Sequence, residues 1–305
     1  MSDLDVRRSF NALIDALRRC GDVEAARRTA ELAVASGYWR RPDQRPIHFI
    51  PDLPAQPVHR AGAFYLARYF DAHAETIRKE ILSGLGETGV GLTPVEEPLV
   101  GTGAWELAVF YEGGLRNSLT CERFPHTAGV IEAAPEEIRQ AGMVMLSWLH
   151  SGTHILPHCG FSNARLRLHL PLRVADGAHM RIGDRIVTWE QGRSLVFDDS
   201  FEHEVRHDGH EPRLVLLVDL FHPALGAQDR RDFVALFGVD PMRKAAELLR
   251  GVGLNALALG SDGTMHVRFS EEQDRRIRRH MAESGVRAIR LGANDIVAVD
   301  REDAL

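Results

Sequence analysis

The sequence predicts a mainly β protein with flanking helices, an α+β fold built around an antiparallel sandwich or barrel. Between about residues 104 and 222, short apolar runs alternate with polar two-residue breaks, which is typical of short strands joined by tight turns. Before and after this stretch, apolar residues recur at helical spacing. Since 305 residues can bury one large core with appendages, we expect one β domain with helical additions.

Composition and charge indicate a soluble globular protein with no affinity for polyanions. Hydrophobic residues make up 44% and charged residues 26% of the chain, both ordinary values. The formal net charge is −6 and the pI about 6.2, so no basic field favours nucleic acid or an anionic membrane. No apolar run approaches the ~18 residues of a membrane span. We therefore expect neither a nucleic-acid partner nor a membrane partner.

Cysteine usage and the start of the chain predict a cytoplasmic location. Cys20, Cys121 and Cys159 lie far apart, which does not make a disulfide framework. The first residues include acids and lack the apolar segment of a signal peptide.

Residues 1–85 are predicted to form an N-terminal helical region with a proline-rich connector. Helical periodicity over 6–19 and 23–35, with a break between them, predicts an αα-hairpin. Residues 40–60 contain five prolines and are expected to be extended. A further helix is expected over 62–84.

Residues 86–225 are predicted to form the central β domain. Pairs such as Asp176-Gly177 and Gly183-Asp184 mark turns between its strands. The candidate strands are 104–111, 143–149, 165–172, 179–182, 185–189, 194–198, 203–207 and 213–221.

Residues 226–305 are predicted to form a small α/β appendage. Asp240-Pro241 resembles an N-cap followed by proline at the first helical position, so a helix is expected to about residue 250. The rest is predicted to contain strands over 254–259, 265–269 and 286–291 and a helix over 271–284.

Two histidines in strand-like segments predict a metal site. His203 follows His158 by 45 residues (203 − 158), and Arg213 opens the next strong strand. In a small β-barrel this spacing is typical of an iron site. Gly160 stands two residues after His158, where such sites normally carry Asp or Glu. The absence of this carboxylate either argues against iron or restricts the site to a particular family of iron proteins.

The segment from Arg165 to Leu170 carries a row of polar side chains that face either solvent or a binding cavity. Polar and apolar residues alternate there, so Arg165, Arg167 and His169 share one face of a strand. In an isolated strand such a row ordinarily faces solvent. If the face lines a cavity instead, two cations and a histidine form an anion-binding wall.

Two other histidine patterns are weaker. His203 to His207 matches H-E-x-x-H, but that zinc-protease pattern requires a helix, and the flanks here are strand-like. His150, His154 and His158 recur every four residues, but Gly152 and Pro157 interrupt any helix that would align them. We expect neither set to bind a metal as a unit.

The stretch from Ser147 to Pro223 resembles the aspartyl/asparaginyl β-hydroxylases, which are Fe(II)- and 2-oxoglutarate-dependent dioxygenases on a double-stranded β-helix (a jelly-roll or cupin-like fold). The resemblance spans roughly 38–225. The matching segments are Arg45-Pro46-x-His48-Phe49-Ile50-Pro51, His150-x-Gly152-Thr153-His154-x-x-Pro157-His158-x-Gly160, Asn163-x-Arg165-Leu166-Arg167-x-His169-Leu170, Phe197-Asp198-Asp199-Ser200-Phe201-Glu202-His203-Glu204-Val205 and Asp219-x-x-His222-Pro223.

This resemblance implies the metal ligands and the reaction. Members similar to this chain use only two histidines, which by match are His158 and His203, the catalytic iron ligands, with solvent at the place of Gly160. The implied reaction couples decarboxylation of 2-oxoglutarate, giving succinate and CO2, to hydroxylation of an unactivated C–H bond with O2.

The resemblance also implies the cosubstrate and substrate contacts. Ser147 and Arg213 are expected to hold the distal carboxylate of 2-oxoglutarate. Arg167 and His169 are expected to serve its inner end or the substrate, and Arg165 suits a substrate carboxylate.

The substrate stays open at this point. The β-carbon of an Asp- or Asn-like residue is expected to be hydroxylated, in a free amino acid, a peptide, a protein or a carrier-bound aminoacyl group. One alternative is a halogenase, since an absent carboxylate can leave room for chloride. Another is a non-catalytic β-barrel that senses iron or a ligand. The N-terminal hairpin and the C-terminal appendage are possible protein contacts.

Overall fold

The computed structural model covers most of the chain up to residue 238. The described residues are 2–86, 89, 92–95 and 99–238, together with the backbone of 258–259, 265–268, 287–292 and 295–300. No helix within these ranges is long and apolar enough to cross a membrane.

The chain begins with the expected αα-hairpin, α1 (Asp3–Arg19) and α2 (Val23–Ala35). A capping box at Ser2 and an Asp22 side chain that accepts from Ala25 N–H start the two helices. The helices pack through a small core that includes Ile14.

A long amphipathic helix, α3 (Tyr65–Leu85), lies against the central sheet. Its residues Phe70, Ile77 and Ile81 are fully buried there. Three short helices that the sequence did not predict lie between residues 118 and 140 and complete this layer. They are α4 (Ser118–Arg123), α5 (Pro125–Ala133) and α6 (Glu137–Gln140).

Two antiparallel sheets form the body of the protein. The larger has the order β1-β11-β8-β13-β6-β4-β2, with β5 on β4, and the smaller has the order β10-β9-β12-β7-β3. Two facing antiparallel sheets whose neighbours are far apart in sequence define a double-stranded β-helix, as expected. The strands are β1 (Val58–His59), β2 (Thr93–Pro94), β3 (Val100–Thr102), β4 (Trp105–Glu112), β5 (Leu115–Arg116), β6 (Met143–Leu149), β7 (Thr153–His158), β8 (Arg165–Arg173), β9 (Ala178–Ile182), β10 (Arg185–Val187), β11 (Leu195–Phe197), β12 (His203–His207) and β13 (Arg213–Phe221).

The alternation along β8 separates two hydrophobic cores. Leu166, Leu168 and Leu170 are fully buried in the core that the larger sheet shares with α3. The opposite face of the sheet contributes to a second core between the two sheets, which contains Val205 of β12 and Val215 of β13. Because strand faces alternate, the polar residues of β8 face the space between the sheets.

A β-bulge in β7 sets the direction of His158. Val205 pairs with Ile155 and His203 pairs with His158, so two steps along β12 correspond to three along β7. The extra residue lies in the segment that contains Pro157, which has no N–H to donate to a ladder. Without it, His158 would point away from the core that Ile155 enters.

Every candidate strand between 104 and 221 is present within one or two residues. The list of candidate strands lacked β7, although His158 was expected in a strand-like segment. It also omitted the short strands β1, β2, β3 and β5.

The C-terminal part contains helix α7 (Ala227–Phe237), whose Phe233 packs with Ala164 and Leu225. An antiparallel sheet follows, in which the first three strands were expected and the last was not. Its strands are β14 (Ala258–Leu259), β15 (Met265–Arg268), β16 (Arg287–Gly292) and β17 (Asp295–Asp300). The helices predicted over 240–250 and 271–284 lie outside the described residues. The domain limits at 85 and 225 stay a prediction.

Candidate active site

His158 and His203 face each other between neighbouring strands, with ring centroids 4.2 Å apart. The Nδ1 atom of each ring hydrogen-bonds to a backbone carbonyl two residues earlier, 2.8 Å from Leu156 O and 2.9 Å from Phe201 O. Since a carbonyl only accepts, each Nδ1 carries the proton and each Nε2 presents a lone pair. Burial, and then the nearby His158, holds the pKa of His203 well below its usual value, which keeps that ring neutral.

The spacing of the two rings suits a shared metal ion. An imidazole nitrogen lies about 1.1 Å from its ring centroid, and a metal–nitrogen bond is about 2.1 Å, so adjacent ligands place their centroids roughly 4 to 5 Å apart. The observed 4.2 Å falls in that range. Within the described residues no group of three His, Cys, Asp or Glu side chains is arranged to hold a metal. The geometry thus fits a site with two protein ligands and several open positions.

Gly160 lacks a side chain because another residue fills its space. A Cβ at this position would lie 2.5 Å from Cγ and Oδ2 of Asp199. Asp199 is 1% exposed, and its Oδ2 lies 3.2 Å from Nη2 of Arg167. The backbone also ties the two residues together, since Gly160 N–H donates to Asp199 O at 2.6 Å. A buried carboxylate therefore lies where a side chain at 160 would point.

Arg213 is a buried cation with no carboxylate partner among the described residues. Its side chain is 1% exposed, and its Nε and Nη1 have no hydrogen-bond partner among the described residues. Burial lowers the pKa of Arg213 to about 9. Burying an uncompensated charge is costly, so a guanidinium in this position favours an anionic ligand. Its planar fork suits a carboxylate in particular.

Two tryptophans orient the other residues predicted to bind the cosubstrate. Trp189 Nε1–H donates to His169 Nδ1 at 3.2 Å, which leaves the Nε2 side of His169 without a partner among the described residues. Trp105 Nε1–H donates to Ser147 Oγ at 3.0 Å. Because the indole is a donor only, the ring and the hydroxyl both accept from it and keep their own hydrogens for another acceptor.

Asp219 holds two of the predicted arginines. Its Oδ1 lies 3.0 Å from Arg167 Nε and its Oδ2 lies 3.3 Å from Arg165 Nη1, and it also accepts from Met143 N–H. Burial opposes ionisation, but Arg167 and then Arg165 outweigh it and lower the pKa of Asp219. Gly142 is also required, since a Cβ there would lie 2.3 Å from Asp219 Oδ2. The two arginines are therefore fixed side by side on β8 by one buried carboxylate.

The weaker histidine patterns do not form metal sites. The segment of H-E-x-x-H is strand β12, in which residues four apart are separated by about 13 Å. His207 Nε2 hydrogen-bonds to Glu211 O instead. His150 pairs with Glu106 and His154 with Glu204, so neither joins His158.

The structure brings several of the predicted residues together on one sheet and adds others that sequence reasoning missed. Ser147, His169 and Arg213 lie on neighbouring strands of the larger sheet, β6, β8 and β13. Asp199 and Asp219 stood in the quoted motifs without a role, and their neighbours in space are far away in sequence. Trp189 had no sequence signal.

The strand order and the facing histidine pair define a double-stranded β-helix protein with a candidate two-histidine centre. The profile of the aspartyl/asparaginyl β-hydroxylase family matches residues 71–223, half of the chain. The chain belongs to the aspartyl/asparaginyl β-hydroxylase family.

Individual relatives agree with this assignment. The human aspartyl/asparaginyl β-hydroxylase is 35% identical over 237 residues, 76% of this chain and 31% of the human protein. The mouse aspartate β-hydroxylase domain-containing protein 2 is 32% identical over 63% of this chain and 59% of its own length. The chain therefore spans about a third of the length of the human relative.

A solved structure titled as an oxidoreductase of the 2OG-Fe(II) oxygenase family from Burkholderia pseudomallei is 14% identical. It covers 54% of this chain and 95% of its own, with a TM-score of 0.35.

Proposed function

We propose that this protein is an Fe(II)- and 2-oxoglutarate-dependent hydroxylase. The observation that carries the proposal is Arg213, a buried cation without an anionic partner among the described residues, in the same β-helix as the histidine pair. A protein that only binds metal has no need for such a residue, whereas an enzyme with a dicarboxylate cosubstrate does. Membership of the β-hydroxylase family supports the same conclusion.

His158 and His203 would hold the iron through their Nε2 atoms. Fe(II), when bound with 2-oxoglutarate and O2, supplies the oxidant that hydroxylates an unactivated C–H bond. Two neutral imidazoles suit Fe(II), and their carbonyl partners fix both rings in the ligating orientation. Asp199, buried against Gly160 two residues after His158, would add a negative charge that favours a nearby cation.

Arg213 and Ser147 would bind the distal carboxylate of 2-oxoglutarate. Arg213 offers a planar fork of donors. The Ser147 hydroxyl accepts a hydrogen bond from Trp105 Nε1–H, so its own hydrogen can be donated to the ligand. His169 would donate from Nε2 toward the inner end. Both 2-oxoglutarate ends carry acceptors only, which matches this set of donors.

Arg165 would bind a carboxylate of the substrate. Its Nη1 is held by Asp219, and its Nε is buried without a hydrogen-bond partner among the described residues. A guanidinium fixed in this way orients an acidic or amide side chain, which supports hydroxylation at the β-carbon of an Asp- or Asn-like residue. The substrate is an amino acid, free, in a peptide or protein, or attached to a carrier.

The halogenase alternative has less support. It requires a halide beside the metal in the space that a missing carboxylate leaves. The Asp199 carboxylate already occupies the space beside Gly160. A halide bound there would be repelled by that carboxylate, because both are anions.

The test is a mass-resolved screen of amino acids and peptides with Fe(II), 2-oxoglutarate and O2. A substrate that gains one oxygen while succinate forms is the expected result. His158→Ala and His203→Ala should each abolish turnover and Co(II) binding. The matched control is His154→Ala on the same strand, whose side chain pairs with Glu204 instead.

Full turnover in either variant would disprove the two-histidine site. If the wild-type protein binds metal but releases no succinate with any candidate, the sensor alternative gains support instead.

A further inference from the structure

Trp189 touches two residues that are expected to bind 2-oxoglutarate. It lies between β10 and β11 and is 5% exposed. Its Nε1–H donates to His169 Nδ1 at 3.2 Å, and its ring centroid lies 4.7 Å from the guanidinium carbon of Arg213. One buried side chain therefore contacts both the neutral imidazole of His169 and the charged guanidinium of Arg213.

The contact with His169 decides which ring nitrogen carries the hydrogen. Burial, and then Arg213, holds the pKa of His169 well below its usual value, so the ring carries a single N–H. The indole N–H is a donor only, so Nδ1 must accept and Nε2 must carry the hydrogen. Nε2 is buried with no partner among the described residues. A ligand oxygen at this atom would receive a hydrogen bond, whereas the other tautomer would repel it.

The contact with Arg213 stabilises the cation without occupying its donors. An aromatic face attracts a guanidinium, and the attraction is strongest when water is excluded. A carboxylate partner would neutralise Arg213 and compete with the ligand. The indole face leaves the edges of the guanidinium available, and Nε and Nη1 have no partner among the described residues.

We propose that Trp189 is the positioning residue of the cosubstrate site: it makes His169 a donor at Nε2 and prepares Arg213 for a carboxylate. The inference rests on the proposed function for the identity of the ligand. The tautomer of His169 is a property of the ligand-free protein and is measured separately.

The first measurement is the imidazole ¹⁵N–¹H correlation spectrum of the metal-free protein, assigned through His169→Gln. Wild-type His169 should show the Nε2–H pattern. Trp189→Phe keeps a ring beneath Arg213 but removes the indole N–H, so His169 should shift to a mixture that contains the Nδ1–H form. Trp39→Phe is the matched control, because it removes another buried indole N–H, one that donates to Pro46 O. The control should leave the His169 signals unchanged.

The second measurement is calorimetric binding of 2-oxoglutarate to protein loaded with Zn(II), which prevents turnover. Loss of one hydrogen bond to the buried ligand predicts about 10-fold weaker binding in Trp189→Phe. Trp189→Leu also removes the aromatic face, which predicts roughly 100-fold weaker binding. In a His169→Gln background, Trp189→Phe should change the affinity by less than about 2-fold, because the tautomer no longer exists.

Each outcome separates the inference from the proposed function. Wild-type protein that binds no 2-oxoglutarate would overturn the proposed function, and the role of Trp189 toward this ligand with it. Wild-type binding that Trp189→Phe leaves unchanged, or an unchanged His169 tautomer, would overturn the role of Trp189 alone. If Trp189→Phe folds poorly, benzothienylalanine at position 189 replaces the N–H by sulfur at nearly constant volume, and the same two results decide.

Discussion

Gly160 and Asp199 share one space that holds only one side chain. A Cβ at 160 would lie 2.5 Å from the Asp199 carboxyl carbon, and the backbones of the two residues are joined by a 2.6 Å hydrogen bond. The position where a third metal ligand is expected is thus blocked by a carboxylate that comes from the turn between β11 and β12. The missing ligand at 160 is a packing requirement of this cavity.

Gly160→Asp should therefore lower stability and activity rather than add a ligand. Two carboxylates would overlap and repel, and overpacking of this kind costs roughly 1–3 kcal/mol. Thermal unfolding and Co(II) binding measure both effects. Adding Asp199→Gly should recover part of the stability, because it empties the shared space. As a control, Gly129→Ala in α5 meets no atom within 4 Å and should be neutral or stabilising. A Gly160→Asp protein with wild-type stability and tighter metal binding would contradict this account.

Arg213→Met should separate folding from cosubstrate binding. It removes a buried cation that has no anionic partner in the part of the chain that the structure describes, so the ligand-free protein should be as stable as the wild type or more stable. Binding of 2-oxoglutarate should weaken by at least about 100-fold, since a buried charged contact is lost. Thermal shifts with and without 2-oxoglutarate and Zn(II) measure both. Arg206→Met is the control, because Arg206 lies on the outer face of β12 and its side chain is 51% exposed. This variant should keep the thermal shift that 2-oxoglutarate and Zn(II) cause. A destabilised ligand-free variant would show that Arg213 has a structural partner.

Asp219→Asn should destabilise the protein by roughly 3–5 kcal/mol, because a fully buried carboxylate that pairs with two partly buried arginines would lose its charge. Arg165 and Arg167 would also lose their fixed positions, so the KM for the substrate should rise. Urea unfolding and steady-state kinetics measure the two effects. Glu211→Gln breaks the Arg173 ion pair, whose acid is 68% exposed, and should cost less than about 1 kcal/mol. Equal losses in the two variants would refute the special role of Asp219.

Stability should fall in acid because of Glu202, which links α1 to β12. Burial alone would raise the pKa of Glu202, but Arg45 and then Arg18 outweigh it and lower the pKa to about 2 from 4.5. A depressed folded pKa gives stability that is complete above pH 4.5 and is lost as the pH falls through 2. Glu202→Gln should thus cost about 3 kcal/mol at pH 7 and less than half of that at pH 3. Urea unfolding at both pH values tests this, and a constant difference would contradict it.

The strands and one wall of the site were predictable because their signals are local. Strict alternation from Arg165 to Leu170 predicted that Arg165, Arg167 and His169 share one face, and the structure places the leucines of the opposite face in a hydrophobic core. The bounds of β7 were not predicted, although His158 was expected in a strand-like segment, because the bulge interrupts the period of two that identifies a strand.

The remaining parts of the site depend on contacts between distant segments. Asp199 explains Gly160 only when the turn after β11 lies against the end of β7. Trp189 explains His169 only when the chain after β10 returns to β8. No period or motif in the sequence encodes those approaches, so the roles of Asp199, Asp219 and Trp189 required the fold.

Because of the bulge in β7, the number of residues between Ile155 and His158 decides which face of the strand His158 is on. Deleting one residue from the segment between Ile155 and His158 would turn the histidine to the outer surface, while the ladder on either side could re-form. A single-codon deletion could thus displace a proposed metal ligand without replacing any residue. A homologous chain that keeps both histidines but lacks that extra residue would retain the apparent motif and lose the centre.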